Sequence, residues 1–289
     1  MEVRKPIFVI GAGRSGSTAL HRILIQHPNA AWLSGFCSKY PNRPERNRQF
    51  MQAIDVPLIG SYLTRRFKSW EVYDFWETFC RGFATPYRDL LASDVTPYTK
   101  KSVVQVMEKM LTPKRNRLCI KITGWPRIGF LREIFPDARF VHILRDGRAV
   151  ANSNIQVDFW DGWLGPSRWK FGDLTPGEME AWKRHHESFV ALAGIEWNRL
   201  MAATIKASQP LGPDTFLEIK YEDACADPVS AFRKIADFCE LAWSEAFEKS
   251  VRQSALQSQN TKWQRDLTPD QQRILEDVVC DYLKVFGYI

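Results

Sequence analysis

A glycine-rich turn near the start of the chain combines residue types that can bind a phosphate. Residues 11–18 read Gly-Ala-Gly-Arg-Ser-Gly-Ser-Thr and follow a short apolar run. The spacing copies a Walker A loop, but Ser17 stands where an NTPase carries lysine, and Arg14 places the cation inside the loop. Because the backbone N–H groups of such a turn form an anion site, the pattern predicts a phosphate-bearing ligand other than a nucleoside triphosphate. The alternative is a glycine-rich turn without a ligand.

A second pair of residues, Arg145 and Ser153, has the spacing of another anion site. Arg145 follows the apolar run 139–144, and Ser153 lies at the far end of the next predicted helix. In an open parallel sheet, ligands bind at the carboxyl ends of the strands. Arg14 and Arg145 both follow predicted strands, so we expect them to approach one ligand. The alternative is that Arg145 forms a local ion pair with Asp146 and only caps the helix.

The elements that must position these residues alternate between strands and helices. Apolar runs predict strands at 6–11, 117–123, 139–144 and 216–220. Helical spacing, caps and prolines predict helices at 16–27, 70–92, 100–111, 127–134, 147–157, 175–208, 228–239 and 269–286. This alternation predicts one α/β domain over residues 1–289, with a central, mostly parallel sheet flanked by helices.

Composition narrows the class of protein. The chain has 289 residues, of which 45% are hydrophobic and 25% charged, as expected for a globular domain. Its apolar runs are all shorter than the roughly 20 residues that span a bilayer, so we expect no membrane span and a cytoplasmic location. The net charge of +7 comes from 40 basic and 33 mostly interleaved acidic residues. That pattern disfavours a nucleic-acid partner and suits a polyanionic small molecule.

The cysteines indicate no metal centre. Six cysteines lie far apart and form no C-x-x-C pair, so reduced thiols are expected rather than a disulfide framework or a zinc site.

Four segments together resemble the sulfotransferases that use 3′-phosphoadenosine 5′-phosphosulfate (PAPS), in particular their bacterial and tyrosylprotein-like branch. Residues 13–18 are similar to the family's 5′-phosphosulfate loop, and residues 145–153 to its 3′-phosphate motif. The Tyr-Glu-Asp sequence at 221–223 resembles a segment whose tyrosine lies near the nucleotide. The Lys-Trp-Gln-Arg sequence at 262–265 resembles a C-terminal segment that closes over the cofactor.

The resemblance implies a fold related to nucleotide kinases, with PAPS as donor, adenosine 3′,5′-bisphosphate (PAP) as product and no metal. The acceptor would be a hydroxyl or amine of a small molecule, for example an aromatic compound or a natural product. Residues 34–100 and 156–175, where the resemblance is weakest, would bind the acceptor or form a lid. The protein would be a monomer or homodimer. The implied cofactor-binding residues are Arg14, Ser15, Gly16, Ser17, Thr18, Arg145, Ser153, Tyr221, Lys262, Trp263 and Arg265.

Three residues are candidates for catalysis. Sulfuryl transfer resembles phosphoryl transfer, an in-line displacement in which cations offset charge on the bridging oxygen; Arg14 and Lys121 are suited to that. Cytosolic relatives carry Lys-Thr-His where this chain reads Lys-Ile-Thr at 121–123, so their histidine base is missing. Asp94 resembles the acidic residue of an acidic-x-Thr-Pro turn in bacterial relatives and is a candidate base. Its alternative role is to cap the following helix.

Two other functions are consistent with the two anion sites. A P-loop kinase of small molecules would use the same loop, but Ser17 in place of the lysine disfavours it. A catalytically inactive nucleotide-binding homologue would keep both sites and need no base.

Overall fold

The centre of the fold is a parallel sheet. The computed structural model describes residues 1–56, 59–67, 69, 71–254 and 256–289, and within them five strands pair in the order β2-β3-β1-β4-β5. All neighbouring strands are parallel, which confirms the predicted α/β fold class. The strands are β1 Ile7–Gly11, β2 Ala30–Ala31, β3 Arg117–Thr123, β4 Arg139–Leu144 and β5 Phe216–Lys220.

Helices fill the connections between the strands. In chain order they are α1 Ser17–Leu24, α2 Gly35–Lys39, α3 Pro44–Ala53, α4 Ile59–Arg66, α5 Tyr73–Phe79, α6 Pro97–Met110, α7 Ile128–Ile134, α8 Gly147–Asn154, α9 Pro176–Arg184, α10 Phe189–Ser208, α11 Tyr221–Ala226, α12 Pro228–Phe238, α13 Glu245–Arg252, α14 Lys262–Asp266 and α15 Pro269–Val285. Short 3₁₀ turns cover Ala92–Asp94, Gly162–Leu164 and Pro166–Arg168. None of the described helices is long and apolar enough to cross a membrane.

The central strand β1 is apolar along its whole length because helices cover both faces of a parallel sheet. Residues 7–10 of β1 are each at most 1% exposed. The main core surrounds the sheet. A second apolar cluster, which includes Trp197, joins α8, α10 and α15 and supports the helix that carries Ser153.

Two helix predictions are wrong. The segment 175–208 was predicted as one helix, but α9 ends at Arg184 and α10 begins at Phe189. Between them His186 and Glu187 adopt left-handed φ angles of 52° and 59°, which interrupt the helical hydrogen bonds. The helical spacing at 70–92 produces only α5 and the short turn Ala92–Asp94; residue 70 lies outside the described residues.

The strand order places the loops of interest at one edge of the sheet. β1 lies between β3 and β4, with Gly11 opposite Thr123 and Ile10 opposite His142. The chain therefore leaves β1, β3 and β4 at neighbouring points, and β5 ends beside β4. This edge is where an open α/β sheet binds its ligands.

Candidate functional site

The loop after β1 forms an open cradle in front of α1. Gly16 has a φ of 89° and precedes the helix without any side-chain cap, so the first N–H groups of α1 lack a partner within the helix. Ser15 is buried, and its Oγ has no hydrogen-bond partner among the described residues. Ser17 is buried at the first helical position. Unpartnered donors at a helix N-terminus attract anions.

The ring of Tyr221 packs directly on Gly16. A Cβ added at residue 16 would lie 2.3 Å from Cδ2 of Tyr221, so the ring occupies the space that any side chain would need. The Tyr221 hydroxyl donates to the carbonyl oxygen of Gln257 at 2.8 Å. Burial raises the pKa of Tyr221 to about 12, which keeps the hydroxyl protonated as a donor. The structure thus places Tyr221 at the loop.

The two predicted anion motifs are in direct contact. Arg14 Nε donates to Ser153 Oγ at 2.9 Å, and Arg145 Nη1 donates to the carbonyl oxygen of Arg14 at 2.8 Å. Arg14 itself has a left-handed φ of 67°, which turns its backbone toward Arg145. Residues 131 positions apart in the chain therefore meet in one site.

Arg145 is a buried cation whose described contacts are neutral groups. It is 7% exposed; its Nε donates to Asn260 Oδ1 at 2.8 Å, and its guanidinium lies 4.7 Å from the centroid of the Tyr221 ring. Burial lowers the pKa of Arg145. Among the described residues it forms no ion pair, whereas Arg148 pairs with Asp146 at 2.8 Å. The alternative of a local ion pair between Arg145 and Asp146 is therefore wrong.

Lys121 belongs to a buried polar cluster under the loop. Its ammonium donates to Thr18 Oγ1 at 2.6 Å and pairs with Glu71 Oε1 at 2.7 Å. Thr123 Oγ1 donates to the same carboxylate oxygen at 3.0 Å. Burial lowers the pKa of Lys121, and the Glu71 charge opposes this shift. For Glu71 burial acts to raise the pKa, but the charge and hydrogen bond of Lys121 outweigh it and hold the pKa low.

Asp94 lies apart from this cluster. Arg88 binds both of its carboxylate oxygens at 2.8 Å, and the Leu91 N–H donates to Oδ2 at 2.8 Å. The hydrogen bonds from Arg88 and from the Leu91 N–H lower the pKa of Asp94 to about 2. Thr96, not Asp94, caps α6. The structure therefore does not bring Asp94 together with Arg14 or Lys121, and its contacts favour a structural role.

The C-terminal segment docks beside Ser153. Trp263 is buried under the guanidinium of Arg148, 4.9 Å from its ring centroid. Asn152, the neighbour of Ser153, donates to Asp266 Oδ2 at 3.1 Å. Arg265 is directed at Asp266, 2.9 Å away, and Lys262 is exposed. The closing role of this segment over the cofactor stays a prediction.

Sequence reasoning missed three residues that organise the site. Asn260 holds the Nε of Arg145, Glu71 holds Lys121, and Glu196 is buried with no cationic partner among the described residues. Glu196 accepts hydrogen bonds from Asn154 at 3.1 Å and from Trp160 at 2.8 Å. It therefore ties the insertion 156–175 to α8, and burial raises its pKa to about 7.

The fold and the site define an α/β protein with a P-loop-like anion site that lacks the NTPase lysine. The chain belongs to the sulfotransferase family, whose sequence model matches residues 6–245. Membership of this family favours sulfuryl transfer over the kinase alternative.

Relatives and solved structures agree with this assignment. The chain is 21% identical to omega-hydroxy-beta-dihydromenaquinone-9 sulfotransferase Stf3 of Mycobacterium bovis, over 98% of this chain and 75% of that protein. It is also 23% identical to an uncharacterized protein of Aquifex aeolicus. That match covers 91% of this chain and 31% of the Aquifex protein. The sulfotransferase STF9 from Mycobacterium avium shares the fold, with a TM-score of 0.60, 16% identity, and coverage of 99% and 77% of the two chains.

Gly16→Ala is expected to lower the free energy of unfolding by about 1–3 kcal/mol or more, because a left-handed φ is strained for alanine and the new Cβ would also displace Tyr221. Urea denaturation measures the change. Gly82→Ala is the matched control: Gly82 has a φ of 81°, and a Cβ there would meet nothing within 4 Å. Equal losses in the two variants would show that the ring contact contributes nothing.

Glu196→Gln is expected to change how stability depends on pH. Since burial raises the pKa of Glu196 from 4.5 to about 7, ionisation opposes folding. The stabilisation that comes from the protonated carboxyl group of Glu196 is complete below pH 4.5 and is lost as the pH rises to about 7. The free energy of unfolding of wild type minus that of the variant should therefore fall by up to roughly 3 kcal/mol over this range. Urea denaturation between pH 4.5 and 8 tests this, with the exposed Glu133→Gln as control. Parallel stability curves would contradict it.

Proposed function

We propose that the protein transfers a sulfuryl group from PAPS to a hydroxyl or amine of a small-molecule acceptor. The observation that carries the proposal is the contact between the two anion motifs, from Arg14 Nε to Ser153 Oγ at 2.9 Å. A donor with phosphates on both its 3′ and 5′ positions needs two adjoining anion sites. The family assignment supports sulfuryl transfer as the chemistry.

The side chains at the site fit such a donor. The unpartnered Ser15 Oγ and the N-terminus of α1 would receive the 5′ side, and Arg145, with Ser153, would receive the 3′-phosphate. Burying a guanidinium is costly unless an anion neutralises it, and Arg145 is 7% exposed and forms no ion pair with a described residue. When bound, PAPS would supply the sulfuryl group and leave as PAP.

The cations of the chain would offset the charge that develops on the bridging oxygen during in-line transfer. Arg14 is exposed on the loop. Its planar guanidinium stands where the family resemblance implies a lysine with a compact ammonium. Lys121 reaches the end of the loop through Thr18. The ion pair with Glu71 holds the Lys121 ammonium in position before any ligand binds.

A cavity beside the C-terminal half of α1 has the dimensions of a small-molecule site. Its volume is about 600 Å³, within the range of about 300–1,000 Å³ for ligand pockets. Arg22 of α1, Gln26 just beyond the end of α1, and the aromatic side chains of Trp32 and Phe67 line it. Arg22 lies four residues after Thr18 on α1, about 6 Å along the axis. Neither Lys121 nor Glu71 lines the cavity, so an acceptor bound there would have to extend toward the cluster to react.

The two segments predicted to bind the acceptor differ in their relation to this cavity. Residues of 34–100 line it, among them Thr64, Phe67 and Ser69, while 57, 58, 68 and 70 lie outside the described residues. No described residue of 156–175 lines the cavity. A hydroxyl acceptor is consistent with the Mycobacterium bovis relative, which is named for an omega-hydroxylated dihydromenaquinone. The cytoplasmic location and the oligomeric state stay predictions.

Arg145→Gln is expected to weaken binding of PAP by about 100-fold or more, because it removes the charged partner of the 3′-phosphate. Titration calorimetry with PAP and with adenosine 5′-monophosphate, which lacks that phosphate, should show the loss for PAP alone. Arg117→Gln is the matched control: its guanidinium also binds carbonyl oxygens, but at the opposite end of β3. An equal loss for both nucleotides would contradict the assignment of the 3′ site.

Arg14→Ala is expected to lower turnover by about 10²–10³-fold, the usual effect of removing a donor from a developing charge. Transfer from radiolabelled PAPS to a panel of phenols, alcohols and amines measures it, with Arg117→Gln as control. If wild type binds PAP but transfers to no acceptor, the protein is an inactive homologue. Phosphate transfer from ATP and Mg²⁺ would instead support the kinase alternative.

A further inference from the structure

The cluster of Lys121, Thr18 and Glu71 is asymmetric in its access to solvent. The side chain of Lys121 is 2% exposed, and that of Glu71 is 21% exposed. The carboxylate therefore reaches from the buried ammonium toward solvent. Lys121 and Thr123 both contact Oε1 of Glu71. Within the described part of the chain, Oε2 accepts no hydrogen bond from any other residue.

Three other titratable groups, Asp94, His142 and His21, are occupied or buried. Arg88 covers both oxygens of Asp94. His142 is 0% exposed within β4 and hydrogen-bonded to Glu218. His21 is 1% exposed and bonded to the carbonyl oxygen of Cys119. Each of these groups lacks either a free atom or access to an acceptor.

We infer that Glu71 is the catalytic base of the transfer, an inference that rests on the proposed function. The acceptor hydroxyl gives its proton to Oε2 of Glu71 while the acceptor oxygen bonds to sulfur. At the same time the bond between sulfur and the bridging oxygen of the donor breaks, and its electron pair leaves on the 5′-phosphate of PAP. Lys121, which contacts Glu71, and Arg14 would offset the charge on that oxygen.

The pairing with Lys121 suits this role. It keeps the carboxylate ionised and therefore ready to accept a proton, and Thr123 fixes its orientation through Oε1. The same pairing makes Glu71 a weaker base, because the adjacent charge holds its pKa low. General-base help matters most when the acceptor is weakly acidic. Acceptors that are already ionised in solution gain little from it.

Glu71→Gln tests the inference through the acidity of the acceptor. With radiolabelled PAPS, kcat for 4-methylphenol should fall by about 10²–10⁴-fold, the usual contribution of a general base. The loss should shrink to within about tenfold for 4-nitrophenol assayed at pH 8, where most of this phenol is ionised, because no proton then remains to be removed. The affinity for PAP should change little. Glu71→Asp, which keeps a carboxylate, should recover part of the lost rate.

The matched control is Glu133→Gln, which breaks a lysine–glutamate pair on the surface, Lys100 to Glu133 at 2.9 Å, and should leave kcat unchanged. Urea denaturation checks that each variant is folded. An equal loss for both phenols, together with weaker PAP binding, would show that Glu71 only positions Lys121 and would overturn the inference. Wild-type turnover in Glu71→Gln would also overturn it. If wild type itself transfers to no acceptor, the proposed function fails, and the inference fails with it.

Discussion

The site depends on one electrostatic imbalance, the buried charge of Arg145. Removing a guanidinium from water costs several kcal/mol unless an opposite charge compensates it, and the described contacts of Arg145 are neutral oxygens and an aromatic face. The parallel sheet supplies these contacts from three directions. The loop after β1 gives a carbonyl, α11 gives the ring of Tyr221, and the segment before α14 gives Asn260. This arrangement suits an anionic ligand.

Much of the fold was predictable because parallel strands are buried on both faces and read as continuous apolar runs. The bounds of β3, β4 and β5 agree with those predicted at 117–123, 139–144 and 216–220. β2 was missed because Ala30–Ala31 is too short to show any pattern. The break between α9 and α10 was missed because neither glycine nor proline marks it; His186 and Glu187 carry the unusual φ angles.

The sequence predicts those residues of the candidate site that belong to short local motifs and follow strands ending at the same edge of the sheet. Arg14, Arg145, Ser153 and Tyr221 meet as expected because adjoining strands deliver them. Glu71 was not predictable, since 52 residues separate it from its contact Thr123 and no element of regular structure contains it. Asp94 was selected from its turn, but its bidentate contact with Arg88 is visible only in three dimensions.

The contact between Gly16 and Tyr221 also limits how this loop can evolve. The ring occupies the space of a Cβ at position 16, so the two positions are coupled, and the effect of a change at one depends on the residue at the other. The two positions do not constrain each other equally. A smaller residue at 221 removes the clash, but the left-handed φ of 89° at Gly16 still penalises every L-amino acid. Substitution in this pair therefore has a preferred order: the tyrosine is replaceable first, and the glycine is the last to change.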